Sequence, residues 1–257
     1  MSFSGKVVLI TGGGSGMGRL AAQMLAQNGA TVAIFDVNSA GMDETAKGFD
    51  NIHSWQVDIT DANSVTAAVT AVEAQLGAID RLYNCAAIMP FGKLVEQDNA
   101  LIHKQMAINY GGLVNITQAV LPGMLARGQG DFISFASMAG LIPMLYTGAY
   151  SATKAAVCTF SETLYHENRN SGIRFACVCP PAVNTPLLQQ GRDSVWPKML
   201  DDAGEPITPK EVIDAIEACL DKGKFWVYPN KNAKIGAFMR RLFPGLIWKQ
   251  VHQVEGF

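Results

Sequence analysis

The stretch that most constrains this chain is Thr11-Gly12-Gly13-Gly14-Ser15-Gly16-Met17-Gly18. It lies between a continuous apolar run, Val7-Val8-Leu9-Ile10, and a helix-like segment from Met17 to Asn28. An unbroken apolar run suits a strand buried on both faces, as in a parallel sheet. A Gly-rich turn between such a strand and a helix presents backbone N–H groups and the positive end of the helix dipole, which together suit a pyrophosphate. A Cβ at Gly12, Gly16 or Gly18 would obstruct the turn, the approach of a ligand or the packing of helix on sheet. The alternative spacing Gly16-x-Gly18-x-x-Ala21 begins late relative to the strand, so Gly12/Gly16/Gly18 is favoured. A plain Gly-rich turn would look the same, so the reading depends on the residues downstream.

The rest of the chain alternates. Strand-like runs recur at Thr31–Phe35, up to Val57, at Ile79–Tyr83, Asp131–Phe135, Ile173–Val178 and Phe225–Tyr228. Helix-like segments run between them: Asp61–Leu76, about Ala100–Arg127, Tyr150–Asn168, and a segment opened by the capping box Thr208-Pro209-Lys210-Glu211. This predicts an α/β fold: one doubly wound domain over 1–257, with about seven parallel strands and helices on both faces. Residues 186–206 read as a mobile connection, of which 187–206 would form a lid, and 231–257 as a basic, aromatic tail.

At 16% charged residues and 49% hydrophobic, with a net charge of −2, the chain is neither disordered nor basic enough to favour nucleic acid. Five scattered cysteines fit a reducing, cytoplasmic setting. Cys177 and Cys179 point to one face of a strand, but no second ligand pair is present; they read as core, and no metal is expected. No apolar stretch of spanning length occurs.

Asp36 ends the second strand, 18 residues after Gly18. A carboxylate there can accept from both ribose hydroxyls of an adenosine and would repel a 2′-phosphate, which favours NAD over NADP. Arg19 is the nearby cation that could reverse the preference. Asp58 ends the next strand and can accept from an adenine amino group, or simply serve a turn at Thr60.

Tyr150 and Lys154 lie four residues apart, on one helix face. A neighbouring ammonium and a cationic nicotinamide ring both favour phenolate, so the Tyr150 pKa should fall from near 10. Tyr150 could then exchange a proton with an alcohol oxygen. Ser137 comes just after the fifth strand, whose C-terminal end faces the ligand crevice, and can polarise the same oxygen. Asn109 lies in Ile108-Asn109-Tyr110-Gly111-Gly112, where two glycines weaken a helix interior. A local distortion there would free a carbonyl to hold a water that passes protons towards Lys154.

With Thr11-Gly12-x-x-x-Gly16-x-Gly18, Asp36, Asp58, Asn84, Asn109, Ser137, Tyr150, Lys154 and the Pro180–Thr185 segment in order over residues 11–185, the chain resembles the short-chain dehydrogenase/reductase family. The resemblance implies an Asn-Ser-Tyr-Lys tetrad, Lys154 on the nicotinamide ribose, Val183 and Thr185 at the carboxamide, and dimers or tetramers. The nucleotide set expected is Thr11, Gly12, Ser15, Gly16, Met17, Gly18, Asp36, Asp58, Ile59, Asn84, Ala86, Tyr150, Lys154, Pro180, Val183 and Thr185. Two departures stand out: Asn84-Cys85-Ala86-Ala87 where the family usually has Asn-Asn-Ala-Gly, and Pro180-Pro181 where it usually has Pro-Gly.

The expected substrate is a hydrophobic secondary alcohol or ketone of steroid, retinoid, long-chain or aromatic type. Ser137, Tyr150, Met144, Tyr146, Leu187 and Trp196 should meet it. Met89, Phe91, Leu141, Leu145, Leu188, Val195, Met199 and Leu200 are further candidates. The tail could cover the pocket, pack between subunits or, as the lesser reading, touch a membrane surface. A catalytically silent NAD-binding scaffold is the alternative from another class; it predicts damage to the tetrad, and all four residues are intact.

Overall fold

The computed structural model describes residues 6–202 and 204–257. Seven parallel strands form one sheet: β1 Val7–Thr11, β2 Thr31–Asp36, β3 Ile52–Gln56, β4 Ile79–Asn84, β5 Gly130–Phe135, β6 Ile173–Val178 and β7 Trp226–Val227. Their order is β3-β2-β1-β4-β5-β6-β7, so the sheet is doubly wound and the order reverses between β1 and β4. A crevice at that reversal, outside the carboxyl ends of the strands, is where such sheets bind ligands.

Two apolar layers result from the period of two along each strand. Val7 and Leu9 of β1 face one layer, and Val8 and Ile10 the other. The first layer is completed by α3 (Ala62–Leu76), α5 (Gly112–Arg127) and α6 (Gly148–Glu167), through residues such as Val69, Ile116 and Val157. The second is completed by α1 (Gly16–Gln27) and α9 (Pro209–Asp221), through Ala22, Leu25, Ile213 and Ile216. The capping box that opens α9 is present, with Thr208 accepting from the Glu211 N–H and Glu211 from the Thr208 N–H.

Several boundaries differ from the sequence expectation. A helix not foreseen, α2 (Ser39–Ala46), comes after β2 and is capped by Asn38. Strand β3 ends at Gln56, one residue before Val57. The long helix at 100–127 is continuous but not uniform: α4 (Asn99–Met106) passes through a π turn at Ala107–Gly111 into α5. The anticipated distortion around Asn109 is therefore real, and its form is a wider turn.

The described residues of 186–206 are not wholly irregular. They carry α7 (Pro186–Arg192), with Pro186 in its first turn and Thr185 accepting from the Leu188 N–H, and α8 (Lys198–Asp201). The tail folds into α10 (Lys231–Leu242) and α11 (Pro244–Glu255), and Pro244 breaks the chain between them by opening the second helix.

At the amino ends of the central strands, opposite the crevice, Asp131 of β5 is paired with its register neighbours on both sides. Arg81 of β4 lies 2.5 Å away and Arg174 of β6 2.6 Å away; Arg81 also meets Glu217 of α9 at 2.6 Å. Burial alone would raise the Asp131 carboxyl, but the Arg174 hydrogen bonds and the Arg81 charge hold it below the ordinary carboxylate range. Three buried thiols also meet: Cys158 of α6 reaches Cys177 and Cys179, all within 4.8 Å of one another. The third member comes from a distant segment, which is why the sequence showed only a pair. No helix among the described residues is long and apolar enough to cross a membrane.

Candidate active site

The turn after β1 is tied down from below. The Gly12 N–H donates to the Phe35 carbonyl at 2.8 Å, and Thr11 Oγ1 donates to Asn84 Oδ1 at 2.7 Å. Gly12 has φ +68°, and a Cβ on it would sit 2.8 Å from the Ala86 nitrogen. A Cβ on Gly18 would strike the Gly12 carbonyl, so the first turn of α1 could not pack against the loop. Ser15 stands at the N-cap of α1 without spending its side chain on the helix. The result is a helix N-terminus opening into a cleft of about 260 Å³.

Of the residues expected to hold a nucleotide, Thr11, Gly12, Ser15, Gly16, Met17, Gly18, Asp36, Asp58, Ile59, Ala86 and Thr185 line this cleft. Asn84 does not; it is buried behind the loop, where it fixes Thr11. Phe35, Val57, Cys85 and Ile108 are walls that the motif spacing did not reveal. Ala87, one of the two departures, also lines it, so its extra methyl faces the space.

Asp36 accepts from the Gly14 N–H at 2.9 Å and the Asn38 N–H at 3.0 Å, which aims the half-buried carboxylate at the cleft mouth. Arg19 is committed elsewhere: it donates to the carbonyls of Gly14 and Gly41 and to Thr45. It braces the loop from outside. Asp58 accepts from both the backbone and the hydroxyl of Thr60, which together hold its carboxyl below the usual range. The turn reading of Asp58 is thus present, on the rim of the same cleft.

Three other segments, the π turn with Asn109, the stretch after β5 with Ser137 and α6 with Tyr150 and Lys154, bring these residues together at the carboxyl end of β5. Tyr150 and Lys154 share the first turns of α6, and both are buried, at 5% and 3% exposed. The Tyr150 hydroxyl is hydrogen-bonded to Ser137. Lys154 Nζ donates to the Phe135 carbonyl at 2.7 Å and lies 5.8 Å from the centre of the Tyr150 ring. Asn109 is held from both ends: the Ile88 N–H donates to its Oδ1 at 2.8 Å, and its Nδ2 donates to the Ile88 carbonyl and to Thr153 Oγ1.

The expected depression of the Tyr150 pKa is not found. Burial pushes the phenol up to about 12, against a smaller opposing effect of the Ser137 hydrogen bond. Burial also pushes the Lys154 ammonium down to about 8. The reason is geometric: the ammonium is turned to a backbone carbonyl rather than to the phenol oxygen, and desolvation acts on both groups.

Tyr150 and Ser137 open into a second chamber, of about 310 Å³. Met89, Phe91, Met144, Leu188 and Trp196 make it apolar; the Phe91 ring meets Tyr150 edge-on at 5.9 Å and Trp196 at 5.9 Å. Leu187, Met199 and Leu200 also line it, as do Pro180, Pro181 and Val183. Pro180 and Val183, expected at the nucleotide, lie on this side, while Thr185 lines both spaces.

Tyr146 is a correction. It does not line the chamber; its φ is +65°, and its carbonyl accepts from the Gly92 N–H. Leu141, Leu145 and Val195 are not wall residues either, and Val195 is 48% exposed. Two contributions were missed. Thr153, within the Tyr-to-Lys string itself, steadies Asn109. Asn230, Asn232, Ala233 and Gly236, around the start of α10, close the chamber from the tail; the Asn230 cap on Ala233 was the available signal. The two spaces join at Met17, Cys85, Ala87, Thr185 and Leu187, which line both.

Comparisons with known proteins agree with this geometry. The short chain dehydrogenase family matches residues 6–196. A 2-keto-3-deoxy-L-fuconate dehydrogenase of Xanthomonas campestris pv. campestris is 34% identical, over 82% of this chain and 73% of the relative. Human epidermal retinol dehydrogenase 2 is 28% identical, over 99% of this chain and 85% of its own length. A short chain dehydrogenase/reductase from Burkholderia phymatum, solved in complex with NAD, superposes with a TM-score of 0.83 at 25% identity, over 96% of each chain. A sheet reversed at a Gly-rich crevice, with Tyr150 and Lys154 one turn apart beside it, is thus accompanied by a match over most of the sequence: the chain belongs to the short-chain dehydrogenase family, oxidoreductases acting on CH–OH groups.

Proposed function

We propose that this protein transfers a hydride between NAD(H) and a hydrophobic secondary alcohol or ketone. The observation that carries the proposal is the position of Tyr150, hydrogen-bonded to Ser137 in the wall of an apolar chamber that adjoins a Gly-lined cleft. The cleft suits a dinucleotide because it opens at the N-terminus of α1 on a loop that keeps its shape only with glycines at 12 and 18, where a Cβ would strike the Ala86 backbone or the Gly12 carbonyl. Asp36 can accept from an adenosine ribose, and with Arg19 occupied at Gly14 and Gly41, no cation lines the cleft among the described residues to favour a 2′-phosphate. When bound, the nicotinamide supplies or accepts the hydride.

The chain's own residues handle the proton. With its pKa raised by burial, Tyr150 is protonated near neutrality and acts as the acid in ketone reduction: its O–H proton passes to the carbonyl oxygen as that oxygen gains charge. Ser137 donates to the same oxygen. In alcohol oxidation the proton returns to Tyr150. Lys154 would hold the nicotinamide ribose when the cofactor is bound, and the wider turn at Asn109 would offer a backbone carbonyl to a relay water. Met89, Phe91, Leu188 and Trp196 exclude bulk water and select an apolar substrate, closer in character to retinol than to a sugar acid.

The test is a panel of steroid, retinoid, aromatic and polyol substrates, each with NAD and NADP, followed at the nicotinamide absorbance. Turnover of the apolar members with NAD is expected. Preference for polyols or for NADP would overturn the corresponding half of the assignment.

A further inference from the structure

The last 27 residues carry a charge unlike the rest of the chain. They hold Lys231, Lys234, Arg240, Arg241 and Lys249 against one acid, Glu255, in a protein whose net charge is −2. Glu255 is buried and accepts from the Met199 N–H at 2.9 Å, so it does not offset the cations at the surface. The outer face of this segment is also the largest concentration of exposed apolar side chains. Ile235, Phe238 and Leu242 of α10 are 59%, 61% and 51% exposed, and Phe243 and Leu246, at the junction with α11, are 51% and 57%.

Helical spacing sorts these groups. Ile235, Phe238 and Leu242 recur at three and four residues and share a stripe, with Lys234 and Arg241 along one edge. Ala233 and Gly236 point the other way, into the wall of the apolar chamber. One helix therefore turns one side to the site and a greasy, cation-edged side to solvent. Apolar residues edged by cations match an interface between lipid headgroups and acyl chains, and the positive charge matches anionic lipid.

We propose that α10 and α11 dock this protein on an anionic membrane surface, Ile235, Phe238, Leu242, Phe243 and Leu246 entering the headgroup boundary and Lys234, Arg241 and Lys249 meeting lipid phosphates. Docking does not depend on the chemistry proposed above. The corollary does rest on it: a lipid-dissolved alcohol or ketone would reach the chamber beside the helix that lies on the bilayer.

The experiment is co-sedimentation of the full chain with vesicles of phosphatidylcholine alone or with one third phosphatidylglycerol, at low and high salt, beside light scattering of the free protein. Binding should require phosphatidylglycerol and weaken with salt. It should fall about tenfold in Phe238→Asp/Leu242→Asp and, with the apolar stripe kept, in Lys234→Gln/Arg241→Gln/Lys249→Gln. Equal sedimentation of the parent with both vesicle types, or no effect of either variant, would overturn the proposal. So would a vesicle-indifferent parent whose oligomer is dissociated by the Asp pair, since the face would then join two copies of the chain. Sedimentation reads no turnover, so its failure is distinct from failure of the assigned reaction.

Discussion

Asn109 and Ile88 are bound to each other twice, Ile88 N–H to Oδ1 at 2.8 Å and Nδ2 to the Ile88 carbonyl at 2.9 Å. The pair fastens the π turn to the segment after β4, and a third bond, to Thr153, fastens it to α6 one residue from Lys154. Asn109→Ala removes all three and leaves backbone groups of Ile88 without partners in a partly buried place. A loss of about 2–4 kcal/mol of stability is expected, against about 1 kcal/mol for Thr153→Val, which breaks the last and the Thr153 hydroxyl's own bond to the Tyr150 carbonyl inside α6. Urea unfolding of both variants checks this; equal costs would mean that the bonds to Ile88 contribute little.

Tyr150 gives a prediction in which stability and rate separate. Tyr150→Phe keeps the ring against Phe91 and loses only the hydroxyl bonded to Ser137. Folding should change by no more than about 1 kcal/mol, while kcat/KM falls by roughly 10²–10⁴. The pH dependence comes from the raised phenol. Reduction uses the protonated form, already present at neutral pH, whereas oxidation needs the phenolate and should gain as pH rises. Parallel profiles in the two directions would contradict the acid/base assignment.

Much of this was legible because the signals are local. The Gly12 to Gly18 spacing, the four residues from Tyr150 to Lys154 and the glycines after Asn109 are each read within a turn or two, and each falls where the fold requires it. The two-residue alternation of Val7 to Ile10 likewise divides cleanly between two cores. What was not legible depends on direction in space. The Tyr150 shift reverses because the Lys154 ammonium faces Phe135, which no spacing encodes. Tyr146 takes a positive φ without a glycine to announce it. The helix at 186–192 could have been read: Thr185-Pro186 repeats the Thr-Pro opening of α9, but the surrounding prolines suggested irregularity.

Lys154 makes a pH-dependent contribution whose sign is fixed by burial. Folded Lys154 gives up its proton near pH 8, and an unfolded lysine holds it to about 10.5. Between those values the unfolded state binds more protons, so stability should climb as pH rises from 8 towards 10.5. Tyr150 acts oppositely above 10, where its folded phenol keeps a proton that the unfolded one loses. Lys154→Met should abolish the climb and, at pH 7, leave the fold as stable or up to about 2 kcal/mol more stable, while activity is lost. Denaturation of parent and variant from pH 7 to 10 decides it; a parent that weakens across that window would refute the sign.

Asp36 should decide the cofactor. Its carboxylate, the proposed ribose acceptor, also accepts from the Gly14 and Asn38 N–H groups. Asp36→Ser should keep a short polar group, raise the KM for NAD about tenfold and lift NADP use, because a repelling charge is gone. Adding Val37→Arg supplies the missing cation and should carry the preference across. Initial rates with both cofactors measure this; an unchanged NAD preference in the double variant would place recognition elsewhere.

The charge network around Asp131 supports the sheet from the end away from the chemistry, so it should affect stability without affecting turnover. Asp131 neutralises Arg81, which is 1% exposed, and accepts two bonds from Arg174. Asp131→Asn keeps the shape and sets the buried guanidinium against a neutral amide, while its pairing with Glu217 stays. Breaking a buried pair from one side typically costs about 3–5 kcal/mol, most of it the desolvation of the charge left behind. The same logic gives the sign in acid. The Asp131 carboxyl is held below its unfolded value, so its contribution is complete above the unfolded value near 3.8 and is lost as pH falls through the folded one. In the variant, Tm should drop and the steep part of acid unfolding should shrink, with kcat at 25 °C unchanged. A kcat that falls while Tm holds would mean that the network reaches the carboxyl end of β5, and that the two ends of this sheet are not independent.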